Sequence, residues 1–301
     1  MPLQEQLTSG KWITVVELQP PKGVDLSELH QHADQWKGRV DAISVPDLQN
    51  AIMRVGSLAV SSLLKAGGIE PIFTLSCANR NRLTLQSELL GASAMGLKNL
   101  LILPGDPPSM GDHLEAQPVS DLDVMGLLGA AKRLQEGYDL AGNELHGKPE
   151  FFVGASACLT AKGDALDREL VEMEKKIGLG AQFFVTSSVY DVDLFANFVR
   201  KTSRFEVPIL AGVTLLKSVG MARYINQHVE GGSIPDSVID VLIKASDKRR
   251  ASVEIAGNLI ISLSTVKGHT ASIYSKLGVR SRTQAVAVAK QLRILSESSK
   301  G

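Results

Sequence analysis

The chain has 301 residues, a formal net charge of zero, 44% hydrophobic and 21% charged residues. Such a composition excludes a chain that is disordered throughout, and with no apolar run of eighteen residues it excludes a helix that spans a membrane. Two cysteines, Cys77 and Cys158, are too few for a disulfide framework or a four-thiolate metal site, so no metal is expected. The opening stretch MPLQEQLTSGKW lacks a basic segment followed by an apolar one, and a cytoplasmic protein is the expectation. Charge is unevenly spread: residues 246–301 hold ten Lys/Arg against three Asp/Glu, a balance of +7 that leaves −7 on the preceding residues. A basic tail on an acidic body suits either a solvated helix face or an appended nucleic-acid-binding segment.

Seven short β-rich runs are predicted in chain order. They are Trp12–Leu18, Val40–Val45, Glu70–Ser76, Asn99–Leu103, Glu150–Ala155, Phe183–Thr186 and Val207–Gly212. Most are continuous apolar runs, which suits parallel strands covered on both faces. Helical spacing lies between them, at Ala51–Lys65, Leu83–Met95 and Asp167–Leu179, and Asp191 fits an N-cap for a helix through Val199. Gly96 and Gly180 fit left-handed helix ends. Seven β-then-α units predict an α/β protein with a (β/α)8 TIM barrel. A doubly wound open sheet is the alternative, but no G-x-G-x-x-G follows the first strand.

Barrels keep their chemistry at the C-terminal ends of their strands. Glu17 ends the first strand before the stiff Pro20-Pro21 pair, where partial burial would raise its pKa and fit it for general acid work; a salt-bridged rim residue is the other reading. Asp106 follows the fourth strand in Leu103-Pro104-Gly105-Asp106-Pro107-Pro108, where it could accept from a heterocycle N–H or simply shape a turn. Asn79-Arg80-Asn81-Arg82 follows the third strand, with two guanidiniums available to phosphates or a carboxylate. Lys176 lies late in the fifth predicted helix, where solvation is its ordinary fate.

An ordered series of segments resembles the methylenetetrahydrofolate reductase family over about residues 12–260. It includes Val16-Glu17-Leu18-Gln19-Pro20-Pro21, Ala51-Ile52-Met53-Arg54, Leu75-Ser76-Cys77, Leu90-Gly91-Ala92, Gly105-Asp106-Pro107-Pro108, Gly180-Ala181-Gln182 and Pro208-Ile209-Leu210-Ala211-Gly212. The resemblance implies FAD as cofactor and NADH or NADPH as donor, with hydride passing through the flavin to 5,10-methylenetetrahydrofolate. It implies Glu17 as the acid that protonates folate N5, and Asp106 as a carboxylate near both flavin and folate. Thr74, Leu103, Pro104, Gly105, Cys158, Glu169 and Lys176 then stand at cofactor positions, and Ser187 at a substrate position. A homo-oligomer, or a companion redox or corrinoid protein, is the implied assembly. Ser187 replaces the family's usual Gln, Cys158-Leu159 an aromatic–proline pair, Thr74 a His of some members, Pro46 a Thr, and Ala78 an acidic residue.

The end of the chain reads two ways. An eighth strand is expected around residues 268–274. Yet about residues 254–295 resemble the LuxR-type helix-turn-helix, through Glu254-Ile255-Ala256, Ser264-Thr265-Val266-Lys267, His269, Lys276-Leu277-Gly278-Val279 and Arg280-Ser281-Arg282-Thr283-Gln284-Ala285-Val286. In that reading Ser264 is an N-cap, Lys267 and His269 face DNA, and Arg280 and Arg282 contact its backbone. The expected division is a barrel over residues 1–260 and a tail over 261–301. Three functions follow: a flavin-dependent folate reductase, a DNA-binding regulator with the barrel as ligand sensor, or a non-catalytic partner of a folate or corrinoid enzyme.

Overall fold

A computed structural model describes residues 1–159, 163–228 and 234–266. In chain order the elements are α1 (Leu3–Thr8), β1 (Val15–Glu17), α2 (Ser27–Trp36), β2 (Ala42–Val45), α3 (Ser57–Ala66), β3 (Pro71–Ser76), α4 (Arg82–Ala94) and β4 (Asn99–Leu103). There follow α5 (Val124–Glu136), β5 (Phe152–Ala157), α6 (Asp164–Gly178), β6 (Phe183–Ser188), α7 (Val192–Thr202), β7 (Ile209–Gly212), α8 (Val219–His228), α9 (Asp236–Lys244) and α10 (Lys248–Val266). All seven predicted strands are present, in sheet order β1 to β7, and β1 through β5 pair in parallel. The α/β architecture is therefore the expected one. The candidate eighth strand at 268–274, and the Lys267, His269, Arg280 and Arg282 positions, lie outside the described residues.

The chain divides into two compact units, residues 1–156 with 173–184, and residues 157–172 with 185–301. In the first, every residue of β3 is buried, as a strand covered on both faces must be. One part of its core joins Leu18, Ile43 and Val45 to Leu29, Val60 and Leu64 of the flanking helices. Phe152 and Phe183 stack with ring centroids 4.9 Å apart, and a Cβ at Gly154 would overlap the Phe183 ring. Gly154→Ala is expected to cost at least about 1–3 kcal/mol through overpacking, and a denaturant titration against the unmodified protein checks it.

The helix predicted from Ala51 instead begins at Ser57. Asn50 and Ala51 both hold positive φ, at 58° and 52°, and Gly56 is extended, so the chain cannot wind until Ser57. The apolar spacing before Ser57 belongs to a turn. Helix α4 starts at Arg82, one residue before the predicted Leu83, with the Asn81 side chain accepting the Thr84 N–H at 3.0 Å. Gly96 and Gly180 take the left-handed conformation expected of them, φ 75° and 102°.

In the second unit Asp191 caps α7, accepting the N–H groups of Asp193 and Leu194 at 3.0 Å each. Its core gathers Tyr190, Leu216, Ala222, Ile234, Leu242 and Leu259. Helix α10 runs unbroken from Lys248 to Val266. Ser264, expected at the start of a helix, and residue 260 therefore both lie within one. Among the described residues no helix is long and apolar enough to cross a membrane, and no cluster of three His, Cys, Asp or Glu could hold a metal.

Candidate active site

Glu17 is the last residue of β1 and remains exposed at its tip. The protein around it nevertheless strips solvent from the carboxyl and raises its pKa above the ordinary glutamate value. The opposing influence is a long hydrogen bond, in which Gln49 Nε2 donates to Glu17 Oε1 at 3.4 Å. The next residue, Asn50, donates its backbone N–H to Asp106 Oδ2 at 2.7 Å. One short turn after β2 thus touches both carboxyls that the sequence singles out. Asn79 Nδ2 also donates to the Asp106 carbonyl, at 3.3 Å.

The turn is held from several sides. Asp47, with no exposed side-chain surface, accepts from Ser76 N at 2.9 Å and Ser76 Oγ at 2.8 Å, and takes a two-pronged grip from Arg80 at 2.8 and 3.0 Å. Arg80 also donates to Glu88 at 3.0 Å. On the far side, a Cβ at Gly111 would fall on the Ala51 carbonyl, so only glycine permits this approach of the β4 loop. Asp112 accepts the Met53 N–H at 3.1 Å and pairs with Lys22 from the β1 loop. The bond from Lys22, then that from Met53, holds the Asp112 carboxyl down to about 2. The guanidiniums of Arg80 and Arg82 thus meet protein carboxylates, since Arg82 grips Asp121 at 2.7 Å. The phosphate alternative raised by the sequence does not match these pairings.

The remaining predicted positions in this unit differ in character. Thr74 is 1% exposed, and its Oγ1 has no hydrogen-bond partner among the described residues. Leu103, Gly105 and Asp106 are partly exposed, and Pro104 is exposed. At Gly105 φ is +77°, and a Cβ would stand 2.8 Å from both Ser76 Cβ and Ala78 Cβ. The glycine is therefore demanded by the protein's own packing, whatever binds nearby. Lys176 is not the solvated surface residue its position suggested: it is 8% exposed, and Nζ donates to the Ser156 carbonyl at 3.0 Å. Burial, and secondarily the charge of Asp123, pushes the Cys77 thiol up to about 12, which removes it as a nucleophile.

Cys158, Glu169 and Ser187 belong to the second unit. Ser187 Oγ accepts the Leu159 N–H at 3.1 Å, so this hydroxyl fixes the chain just after Cys158. Cys158 and Cys77 form no disulfide. Glu169 and Lys176 lie on one helix, α6, seven residues apart.

The sequence reading missed Asp47, Gln49 and Asn50. A signal was available: Val45-Pro46-Asp47 stands at the C-terminal end of a predicted strand, where barrels place functional residues. The helix assigned from Ala51 hid it.

Comparison with known proteins places these residues in a family. The family model described as methylenetetrahydrofolate reductase matches residues 2–270. The chain is 26% identical over 195 residues to methylenetetrahydrofolate reductase 2 of Schizosaccharomyces pombe, covering 63% of this chain and 30% of that protein. It spans less than half the length of curated reductases it matches, among them two from Schizosaccharomyces pombe and one from Oryza sativa. The chain is also 46% identical over 56 residues to the transcriptional regulatory protein YdfI of Bacillus subtilis, covering 19% of this chain and 26% of that protein. A solved structure from Clostridium thermocellum, described as binding two copies of 5-methyl-5,6,7,8-tetrahydrofolic acid, shares the fold. It has a TM-score of 0.59 and 16% identity, and covers 97% of this chain and 99% of its own. With most of its length matched by the family model, the chain belongs to the methylenetetrahydrofolate reductase family.

Proposed function

We propose that this chain reduces 5,10-methylenetetrahydrofolate to 5-methyltetrahydrofolate in a flavin-dependent reaction, with Glu17 as the acid. The observation that carries the reading is the strand-end pair. Glu17 has raised proton affinity, and the consecutive residues Gln49 and Asn50 tie it to a second carboxyl at Asp106. A carboxyl that holds its proton toward neutral pH is what proton donation to a folate nitrogen requires. Among the described residues the Asp106 carboxylate accepts from Asn50 at Oδ2 alone, which leaves Oδ1 to suit the N–H and amino donors of a pterin ring. Family membership supports the reaction class, and the folate bound by the Clostridium protein supports the ligand class.

The residues of the first unit fit a flavin. Thr74 Oγ1 is a buried hydroxyl without a partner among the described residues, and such a group is costly unless something bonds it. Thr74, Leu103, Pro104, Gly105, Asp106 and Lys176 would hold the cofactor there. FAD, when bound, supplies the hydride. Glu17 supplies the proton, and Asp106 orients the pterin. Relatives named for NADH and for NADPH support a nicotinamide donor.

The test is an absorption spectrum before and after adding FAD, followed by anaerobic mixing of the photoreduced protein with methylenetetrahydrofolate. Bound flavin that reoxidises on mixing supports the reading. Protein that takes up no FAD, or reduced flavin that stays reduced, rejects it.

A second reading has one observation behind it, the 56-residue similarity to YdfI. The +7 balance of residues 246–301 is the ground for seeking DNA binding, the activity a regulator needs, in the tail. Salt-dependent retention of a mixed-sequence duplex, lost on deleting residues 267–301, is the expected result. Equal retention by the deleted protein would reject it.

A further inference from the structure

We propose that Gln49 is a positioning residue for the acid: the clamped turn at residues 47–51 aims its side-chain amide at Glu17, so that the transferable proton sits on the other carboxyl oxygen, Oε2. This rests on the reading of Glu17 as the proton donor.

The amide of Gln49 is engaged at both ends. Its Nε2 donates to Glu17 Oε1 at 3.4 Å, and its Oε1 accepts from Gln19 Nε2 at 3.3 Å. Flipping Gln49 alone would set the Gln19 and Gln49 donors against each other, so the arrangement with Nε2 toward Glu17 satisfies both contacts. With Oε1 already accepting, protonation of Glu17 is directed to Oε2. The contact is long, so holding it depends on the backbone that carries Gln49.

That backbone is unusual. Leu48, Asn50 and Ala51 all hold left-handed φ, at 46°, 58° and 52°, with no glycine among them. Such conformations persist only where the surroundings over-determine them, and they gather at functional sites. Here Asp47 is gripped by Arg80 and Ser76, Asn50 N–H is bound to Asp106, and Ala51 lies against Gly111.

The charged groups on the neighbouring elements are engaged elsewhere. Lys22 pairs with Asp112, Arg54 donates to the Pro20 carbonyl at 3.0 Å, Asp47 pairs with Arg80, and Asp106 accepts from Asn50. Among the described residues Gln49 is the side chain that hydrogen-bonds the Glu17 carboxyl.

The experiment compares the unmodified protein with Gln49→Met, which keeps the length of the side chain and removes the donor. The Glu17 carboxyl is followed by ¹³C NMR titration, its resonance identified by its loss in Glu17→Gln. In Gln49→Met it is expected to titrate at higher pH, because a hydrogen bond to the charged form is gone. In the assay, kcat/KM is expected to fall about two- to tenfold on its acid-side plateau. Its alkaline limb moves to higher pH, and KM for the folate changes less than kcat. A merely structural residue would lower the rate without moving that limb.

Gly111→Ala displaces the same turn from outside and is expected to shift the titration in the same direction. An unchanged Glu17 titration in Gln49→Met overturns the proposal, whether or not Gly111→Ala folds. The titration needs no substrate. An unmodified protein without reductase activity would therefore overturn the reading of function, while the titration would still decide the role of Gln49.

Discussion

Glu17→Gln is expected to lower turnover of methylenetetrahydrofolate by about 10²–10⁴-fold, the usual contribution of a positioned acid, while the absorbance of added FAD in the protein stays as before. The substitution keeps the shape of the side chain and removes its proton. Glu17 ends a three-residue strand and is exposed at its tip, so little packing is lost. The direction of its pKa gives a second signature. The surrounding protein strips solvent from the carboxyl and raises the value, so the protonated fraction reaches further toward neutral pH. The rate then falls as pH rises through that value, and Glu17→Gln removes the limb along with the activity. Flavin lost together with activity would show that Glu17 holds the site together and would end its assignment as the acid.

Arg80→Met is expected to destabilise the first unit by about 3–5 kcal/mol, the range for removing one partner of a buried pair. Asp47 has no exposed side-chain surface and Arg80 keeps only 14% of its own. The two bonds from Ser76 would remain, but the carboxylate would have lost its charge partner and Glu88 would lose its grip on Arg80. Denaturant unfolding of Arg80→Met, Asp47→Asn and the double variant measures the coupling. The double variant is expected to recover part of the loss, because position 47 no longer carries a buried charge that needs Arg80, although Glu88 still lacks its partner. A loss below about 1 kcal/mol in Arg80→Met would put the pair in the class of weak surface bridges.

The strands were legible because each is a compact apolar run bounded by polar or turn residues, and Asn99–Leu103 was read to the residue. Their boundaries shifted elsewhere. Trp12 and Ile13 have strand-forming side chains, but the pairing of β1 with β2 begins only at Val15. The carboxyls Glu17 and Asp106 were legible through their place at strand ends. What joins them was not. Gln49 and Asn50 act through a turn whose left-handed residues carry no glycine to announce it, and the apolar spacing after them imitates a helix. The partner of Asp47 lies 33 residues away at Arg80, a distance over which periodicity carries no information. Lys176 likewise has the look of a solvated helix residue, and only the fold shows that its ammonium turns inward to Ser156.

Gly105 constrains how chains of this kind can diverge. Its missing side chain is the space that the Cβ atoms of Ser76 and Ala78 fill, and Ser76 is committed to Asp47. A substitution at 105 is therefore closed while 76 and 78 keep any side chain at all. Position 78 is only partly buried and its Cβ is already accommodated, so exchanges there meet less constraint. Lineages should therefore wander freely at 78 and stay locked at 105, an asymmetry between neighbouring positions that a library randomising both would expose in a single round of selection for soluble protein.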